Sequence, residues 1–333
     1  MLLWDTITHE QFLIDEHCFL ELLKLENESA PHDDDRLNEL KNAGVIVPYQ
    51  NQYQKWGWDI LSRLFHIGTK DAPCDDFDDD PRRYAKNYMN ECNVIAQDTP
   101  DFFQEKNTLI IDLPTPALSE LNVSLSSVIK ARKTSRSFNG EPVSLKQVSH
   151  LLYATFGLIH GEWETSNHSN LKITGVRKSS PSSGGLHAEE AYLIAYNVTG
   201  LDPGIYYYRP QDHKLNLVKL GNLENQIIQL NKKQFYSKGM AFGIYITVRL
   251  DKYWWKYKHS RSYRIMLLDV GHISQTFLLA ATALGLDTWI TGAFEDSAIE
   301  DLLSLDQDTE SVILYVGAGH GSGQTIPDVF YQQ

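Results

Sequence analysis

Cysteine is scarce in this chain, with three residues among 333. Cys18, Cys74 and Cys92 are odd in number, lie far apart and include no Cys-x-x-Cys pair. Neither a disulfide framework nor a structural zinc site is therefore expected. The 12 histidines form no His-Glu-x-x-His motif or other metal-ligand spacing, so the sequence predicts no bound metal.

Long apolar runs are also missing. The longest apolar-rich stretch, residues 276–286, is flanked by polar residues and is shorter than the roughly 20 residues that a membrane-spanning helix needs. The first residues do not show the basic start, apolar core and cleavage site of a secretory signal. With 42% hydrophobic and 22% charged residues, the composition is that of a globular protein. We expect a cytoplasmic protein with no membrane partner.

Positive charge is in short supply in the first third of the chain. Residues 1–110 contain 22 acidic and 10 basic side chains, whereas residues 111–333 contain 21 and 20. An acidic surface repels nucleic-acid phosphates, which argues against a nucleic-acid partner. A solvated face that keeps the protein soluble, or a site for a basic partner, fits this charge better.

The first third is predicted to be mainly helical. Apolar residues recur near helical spacing over residues 12–25, and residues 35–43 read as a short helix that is stopped by Gly44 and followed by a strand over residues 45–47. This order is typical of the end of a winged-helix unit. The surrounding carboxylates disfavour DNA binding, so the unit is predicted to bind a peptide or partner protein, or simply to pack.

Two domains are predicted, with a proline-stiffened linker between them. Residues 1–110 are the acidic, winged-helix-like region, residues 111–117 the linker, and residues 118–333 the larger domain. The aspartate run over residues 71–81 lacks the Gly and Glu positions of an EF-hand calcium loop and is predicted to be a solvated loop.

The larger domain alternates helical and strand periodicities. Helices are predicted over residues 124–131, 144–158, 263–284 and 296–303, and strands over residues 191–198, 204–209, 215–220, 241–249, 288–291 and 311–316. The strands follow one another closely, like a meander, while the helices are long and partly separate. This pattern predicts an α+β fold in layers rather than regular βαβ winding.

Two segments have the composition of a cofactor site. Residues 132–138, Arg-Lys-Thr-Ser-Arg-Ser-Phe, combine guanidinium groups with hydroxyls that suit a phosphomonoester, although a cationic helix end that answers the helix dipole is equally consistent. Residues 181–187, Pro-Ser-Ser-Gly-Gly-Leu-His, would let backbone approach a flat ligand closely, or form an ordinary loop before a strand.

The end of the chain offers weaker signals. Residues 289–296 end a strand and open a helix, where free amides can donate to a ligand. The glycines of residues 317–323 resemble a dinucleotide fingerprint but lack its third glycine and the helix that should follow.

Taken in order, these segments resemble the flavin-dependent nitroreductase superfamily, and within it the SagB-type peptide dehydrogenases, which include thiazoline and oxazoline oxidases. The resemblance covers residues 118–320. The matching segments are residues 132–138, 181–187, 203–208 (Pro-Gly-Ile-Tyr-Tyr-Tyr), 256–264 (Lys-Tyr followed by Tyr-Arg), 269–275 (Asp-x-Gly-His-x-x-Gln) and 292–296 (Gly-Ala-Phe-x-Asp). It implies a mixed, mainly antiparallel sheet flanked by helices, with FMN bound at a homodimer interface.

The resemblance also implies roles for individual residues. The phosphate and ribityl end of FMN would be held by Arg132, Lys133, Thr134 and Arg136. The isoalloxazine would be lined by Pro181, Ser182, Ser183, Gly184 and Gly185, with Gln275 also a cofactor contact. The backbone of Gly292 and Ala293 would donate to flavin N5. Only His320 stands where relatives often place a basic residue after the last strand.

Lys256 and Tyr257 match the pair that removes a proton from the azoline ring in related dehydrogenases. The pair lies one residue farther from Tyr263 than those oxidases lead us to expect. Either one residue is inserted between them, or a second register assigns the base to Lys258. An exposed turn over Lys256 is the structural alternative.

Three functions are thus open. The first is an FMN-dependent oxidoreductase for a peptide-bound or carrier-bound amino-acid derivative in natural-product biosynthesis, with azoline to azole conversion as one reaction and a biosynthetic enzyme as partner. The alternatives are an NAD(P)H-dependent nitro or quinone reductase and a non-catalytic flavin- or peptide-binding protein.

Overall fold

The computed structural model describes residues 1–4, 11–25, 33–46, 56–71, 80–160, 175–322 and 324–327. The chain separates into two compact units, residues 1–74 with 259–261 and residues 75–258 with 262–333. Cys74 and most of the aspartate run lie outside the described residues. The predicted boundary at residue 110 stays a prediction, although the second unit already includes residues 75–117.

The smaller unit combines a strand pair with short helices. Its elements are β1 (Leu2–Trp4), β2 (Gln11–Leu13), α1 (Glu16–Lys24), α2 (Asp34–Asn42) and α3 (Ile60–Gly68), and β1 and β2 are antiparallel. Asp15, Asp33 and Asp59 cap the three helices, each accepting a hydrogen bond from the backbone amide three residues onward. Part of the acidic excess of this region therefore stabilises helix N-termini.

The helix predicted over residues 35–43 is confirmed as α2, but the strand predicted after it does not form at Val45 and Ile46. Gly44 adopts φ +78°, and the amides of Val45 and Ile46 both donate to the Leu40 carbonyl, at 2.9 and 3.2 Å. The backbone therefore turns back to cap the end of α2 and does not continue as an extended strand. Residues 47–55 lie outside the described part, so the winged-helix interpretation remains a prediction.

The larger unit contains the remaining elements. Its helices are α4 (Pro81–Ile95), α5 (Leu125–Ala131), α6 (Leu145–Phe156), α7 (Glu224–Leu230), α8 (Leu250–Lys256), α9 (Arg261–Ala283) and α10 (Asp296–Leu303). Its strands are β3 (Ile110–Asp112), β4 (Val143–Ser144), β5 (Glu189–Ala195), β6 (Val198–Thr199), β7 (Gly204–Arg209), β8 (Lys214–Leu220), β9 (Phe242–Arg249), β10 (Asp287–Thr291) and β11 (Glu310–Gly319). Short 3₁₀ turns cover Ala96–Asp98, Leu118–Leu121, Ser183–Gly185 and Phe235–Ser237.

A seven-stranded sheet organises this unit in the order β10-β11-β9-β5-β7-β8-β3, with every neighbouring pair antiparallel. A parallel pair, β4 with β6, lies outside it. The α+β prediction with a mainly antiparallel sheet is confirmed. Ile110–Asp112, at the start of the predicted linker, forms the edge strand β3 and pairs with β8.

The central strands β5, β7 and β9 are buried on both faces of the sheet, which is why they read as apolar runs. Ala191, Leu193 and Ala195 of β5 belong to a core shared with α6 and α9, whereas Tyr192 and Ile194 belong to a second, tyrosine-rich core that includes residues of α7 and α10. All seven residues of β5 are buried. Burial of β5 therefore holds Glu189, its first residue, in place, and with it the end of the preceding loop over residues 181–188.

Helix α9 lies against the first of these faces. In length and hydropathy it is the one helix of the described residues that would suit a membrane span. Its buried side chains include Met266, Ile273 and Phe277, which belong to the core on the sheet. A core helix of this kind meets the same length and hydropathy test.

Candidate active site

The loop over residues 182–185 makes a tight turn that only glycine suits. Gly184 and Gly185 adopt φ +58° and +65°, in the left-handed region that favours glycine. A Cβ on Gly184 would lie 2.6 Å from Lys256 Nζ and closer still to the Tyr257 hydroxyl. Both side-chain termini of the Lys256–Tyr257 pair therefore lie against this loop, which we call the glycine loop.

Lys256 ends α8, and its Nζ donates a hydrogen bond to the Gly184 carbonyl at 2.9 Å. It is not part of an exposed turn. Burial lowers the pKa of Lys256 and raises the pKa of Tyr257 to about 12. Burial thus favours the neutral form of each group, which for the Lys256 amine is the form that accepts a proton and for the Tyr257 phenol is the form that keeps its proton. Lys258 lies beyond the end of α8 and is exposed.

The side chain of Asp269, on α9, joins the glycine loop to α8. Its Oδ2 accepts hydrogen bonds from the Ser182 hydroxyl (2.9 Å), the Ser183 amide (2.8 Å) and the Tyr253 hydroxyl (2.7 Å). Asp269 is 4% exposed. Burial raises the pKa of Tyr253 far above its ordinary value, so this phenol is a donor at every physiological pH.

Helix α4 supplies a further wall beside the pair. The Trp255 indole donates to the Ile95 carbonyl at 3.0 Å, which holds the end of α4 on α8. One turn earlier, the buried Cys92 lies close enough to Lys256 and Tyr257 to influence the pKa of each. This helix lies within residues 1–110, the predicted N-terminal region, for which no part in the site was predicted.

A group of buried ionisable side chains lies on the segments that flank the glycine loop. Glu189 begins β5, and neither carboxylate oxygen has a hydrogen bond from the described residues. Burial raises the pKa of Glu189 to about 7. Lys178 is also buried, with a lowered pKa, and His187 is held neutral because burial lowers its pKa to about 3.

The cationic segment over residues 132–136 lies elsewhere, beside the beginning of β10. The Ser135 amide donates to the Thr288 carbonyl at 2.8 Å. Arg136 donates from Nη1 to the Thr325 carbonyl at 2.7 Å and lies 5.6 Å from the ring centre of Tyr236, so it is partly engaged. Thr134 forms an isolated bridge to Thr288.

Arg132 and Lys133 are the cations of this segment that remain available to an anion. The Arg132 amide donates to the Val128 carbonyl at 2.8 Å, but neither side chain makes a hydrogen bond or ion pair with any residue in the described part of the chain, and Lys133 is exposed. Anion binding would therefore depend on Arg132 and Lys133 more than on Arg136.

The end of β10 is connected to this segment through side chains. The Tyr236 hydroxyl donates to Gln234 Oε1 at 2.8 Å, and Gln234 Nε2 donates to the Ala293 carbonyl at 2.9 Å. The Ala293 amide donates to Thr291 Oγ1 at 3.0 Å. Of the two amides expected to reach flavin N5, Ala293 is thus already bonded, which leaves Gly292 as the candidate donor.

Sheet register separates the glycine loop from the cationic segment. Glu189, at the start of β5, is in line with Ser311 of β11 through Val248, whereas Thr288, beside the cationic segment, is paired with Ala318. The intervening length of β11 spans about 23 Å at ~3.3 Å per residue. Glu189 and Thr288 are therefore in line with opposite ends of β11.

The structure thus brings together Ser182, Ser183, Gly184, Lys256 and Tyr257, and separately places Arg132–Arg136 near the strand that leads to Gly292. Pro181 and Gln275 are exposed. Asp269 was predicted only as part of a motif, and Tyr253, Gln234 and Cys92 were not predicted as site residues. A carboxylate inside an apolar helix was the available signal for Asp269, because such a group is buried only with partners.

A family profile and a solved structure both relate this chain to the same protein family. A profile described as Nitroreductase family matches residues 129–320. The structure resembles the crystal structure of a candidate nitroreductase from Anabaena variabilis, with a TM-score of 0.53 and 26% identity, covering 66% of this chain and 43% of that one. The predicted nitroreductase-like fold is confirmed.

Two relatives have names that describe the processing of trifolitoxin and of microcin B17. Trifolitoxin-processing protein TfxB of Rhizobium leguminosarum bv. trifolii is 32% identical over 150 residues, which cover 43% of this chain and 40% of that protein. Microcin B17-processing protein McbC of Escherichia coli is 26% identical over 144 residues, which cover 42% of this chain and 53% of that protein. The chain thus spans about half the length, or less, of these relatives.

Proposed function

Because the chain belongs to the nitroreductase family, whose members are flavin-dependent oxidoreductases, we propose that it is an FMN-dependent dehydrogenase of a peptide-bound or carrier-bound amino-acid derivative. The observation that carries the proposal is the position of Lys256 Nζ and the Tyr257 hydroxyl on the glycine loop. A reductase that only receives hydride from NAD(P)H needs no protein base there. A dehydrogenase that must also remove a proton does.

The residues present suit a flavin mononucleotide. Arg132 and Lys133 offer unpaired cations for its phosphate. Gly184 and Gly185 leave the loop free of side chains, so that a flat ring can approach the backbone. The Gly292 amide is a donor at the end of β10. When bound, FMN supplies the two-electron acceptor that C–H oxidation requires.

The proposed reaction is the conversion of an azoline to an azole, in which the ring loses a hydride and a proton. Lys256, whose pKa is lowered by burial, takes the proton from the ring carbon when its amine is in the neutral form. Tyr257 keeps its own proton and donates a hydrogen bond that orients the ring or the amine. A base held in this way contributes on the order of 10²–10⁴ in rate.

A peptide substrate is favoured by the relatives whose names describe processing of trifolitoxin and microcin B17. We extend this to the present chain and expect a partner biosynthetic enzyme that first forms the azoline. The acidic smaller unit is the proposed recruitment surface for the substrate or that enzyme, because its charge suits a basic partner.

We also propose that two copies of the chain complete each flavin site. Glu189, which follows the glycine loop, and Thr288, which bridges to the cationic segment, are in line with points about 23 Å apart along β11. This separation supports a site to which one protomer contributes the glycine loop and its partner the cationic segment. The first half of α9 exposes Tyr263 (44%), Leu267 (40%) and Leu268 (62%), an apolar surface that a partner copy would cover.

The experiment starts from the purified full-length protein. We expect a yellow protein that releases FMN on denaturation and whose flavin is bleached anaerobically by a thiazoline-containing peptide. A flavin that is bleached by NADPH and not by the peptide would support the nitro or quinone reductase instead. A colourless protein that ignores added FMN would support a non-catalytic binding protein.

A further inference from the structure

The Asp269 carboxylate gathers three donors on a single buried oxygen. The Ser182 hydroxyl, the Ser183 amide and the Tyr253 hydroxyl reach Oδ2 at 2.9, 2.8 and 2.7 Å. Hydrogen bonds to an ionised acceptor are roughly twice as strong as neutral ones. The proposed reaction does not use Asp269 directly, because Lys256 and Tyr257 are the groups that lie on the glycine loop.

These bonds close a ring of contacts around the Lys256–Tyr257 pair. Ser183 precedes Gly184, whose carbonyl accepts from Lys256 Nζ. Tyr253 lies one helical turn before Tyr257, whose amide donates to the Tyr253 carbonyl at 2.8 Å. The glycine loop and α8 are therefore joined at two places, once through Asp269 and once through the lysine. A shift of the glycine loop relative to α8 would therefore break the contacts of Asp269 or the hydrogen bond of Lys256.

We propose that Asp269 is a positioning residue, which fixes the glycine loop against α8 so that the Lys256 amine is held at the reacting position. The inference rests on the proposed function for its chemical consequence, but the ring of contacts is a property of this chain. Tyr253 acts with Asp269, since its hydroxyl is the contact that ties the carboxylate to the helix that bears the pair.

A merely structural role would affect stability and nothing else, so the test needs another readout. We choose the apparent pKa of Lys256, measured by competitive acetylation of the full-length protein at a series of alkaline pH values, with peptide mass spectrometry and with Lys258 as internal reference. Titratable groups beside Lys256 include Tyr257 and Cys92, and both remain in place in all variants.

We call the hydrogen bonds of Asp269 to Ser182, Ser183 and Tyr253 the clamp. Two variants weaken the clamp in different ways, and a third variant is their control. Tyr253→Phe removes one donor while keeping the ring, and Asp269→Asn keeps the shape while removing the charge. Tyr206→Phe is the matched control, because its hydroxyl also makes one hydrogen bond, to the Asp202 carbonyl at 2.7 Å, in a different part of the unit.

We expect Tyr253→Phe and Asp269→Asn to raise the apparent pKa of Lys256 toward that of Lys258, because a released amine is better solvated. Flavin reduction by the thiazoline peptide should slow about tenfold or more at unchanged substrate affinity. Tyr206→Phe should change neither. A wild-type apparent pKa of Lys256 in both clamp variants would overturn the proposal, whatever happens to stability. Because acetylation requires no substrate, failure of the proposed function alone would leave this result intact.

Discussion

Gly184→Ala is the substitution that challenges the glycine loop most severely. Gly184 has φ +58°, and a left-handed backbone costs an alanine roughly 1–2 kcal/mol. The new methyl group would lie 2.6 Å from Lys256 Nζ, whereas non-bonded atoms settle at about 3.5–4.0 Å. The amine must therefore retreat by about 1 Å. A misplacement of that size is expected to lower the rate about 10²-fold.

The assay compares two quantities, the single-turnover rate of flavin reduction by a thiazoline peptide and the free energy of unfolding in urea. Gly285→Ala is the matched control, because Gly285 has φ +74° and open space where its Cβ would be. The free energy of unfolding should fall by a similar amount in both variants, whereas the rate of flavin reduction should fall only in Gly184→Ala. Equal rates in the two variants would refute the claim that the pair acts from its position on the loop.

Three other predictions follow from buried or unpaired charges. Because the pKa of Glu189 is raised to about 7, ionisation of this buried carboxyl destabilises the folded protein increasingly as the pH rises. Glu189→Gln should therefore raise the free energy of unfolding by up to roughly 3 kcal/mol more at pH 8 than at pH 5. An equal effect at both pH values in urea unfolding would contradict this. Replacing Arg132 and Lys133 together with Ala should weaken FMN binding by about 10²-fold or more, measured by flavin fluorescence. Lys146→Ala, in an exposed ion pair with Glu120, is its control, and full flavin retention by the double variant would place the phosphate elsewhere. Since burial lowers the pKa of Lys256 and the amine accepts a proton only when neutral, flavin reduction should accelerate with rising pH and level off below the ordinary lysine value of about 10.4; a rate independent of pH would argue against a lysine base.

The main elements of the sheet domain were predictable from local pattern. The predicted bounds of β7 and α10 match the structure, and α9 begins two residues and ends one residue before its predicted bounds. These elements combine strong periodicity with clear turn residues. The seven-residue helix α8 was missed because its aromatic sequence continues from a buried strand, and tertiary contacts such as the Trp255 bond to Ile95 override its weak propensity. The edge strand β3 was hidden in a proline-rich segment.

The candidate site was predictable only in part. The glycine loop and the Lys256–Tyr257 pair were assigned by resemblance, since no spacing rule connects residues so far apart in sequence. The contacts of Asp269 with Ser182 and Tyr253 span 87 and 16 residues, and only the folded chain brings them together. Local sequence carries the turn chemistry of Gly184, while the partners of each polar group depend on packing.

If Lys256 is the base, replacing it must greatly slow the chemistry while replacing the neighbouring Lys258 must not, so Lys256→Ala is compared with Lys258→Ala. Each variant is loaded with FMN and mixed anaerobically with a thiazoline-containing peptide, and the rate of flavin bleaching is recorded. We predict that Lys256→Ala keeps its flavin and slows by roughly 10²–10⁴-fold, while Lys258→Ala reacts like the wild-type protein. Normal bleaching by Lys256→Ala, with or without loss in Lys258→Ala, would contradict the account.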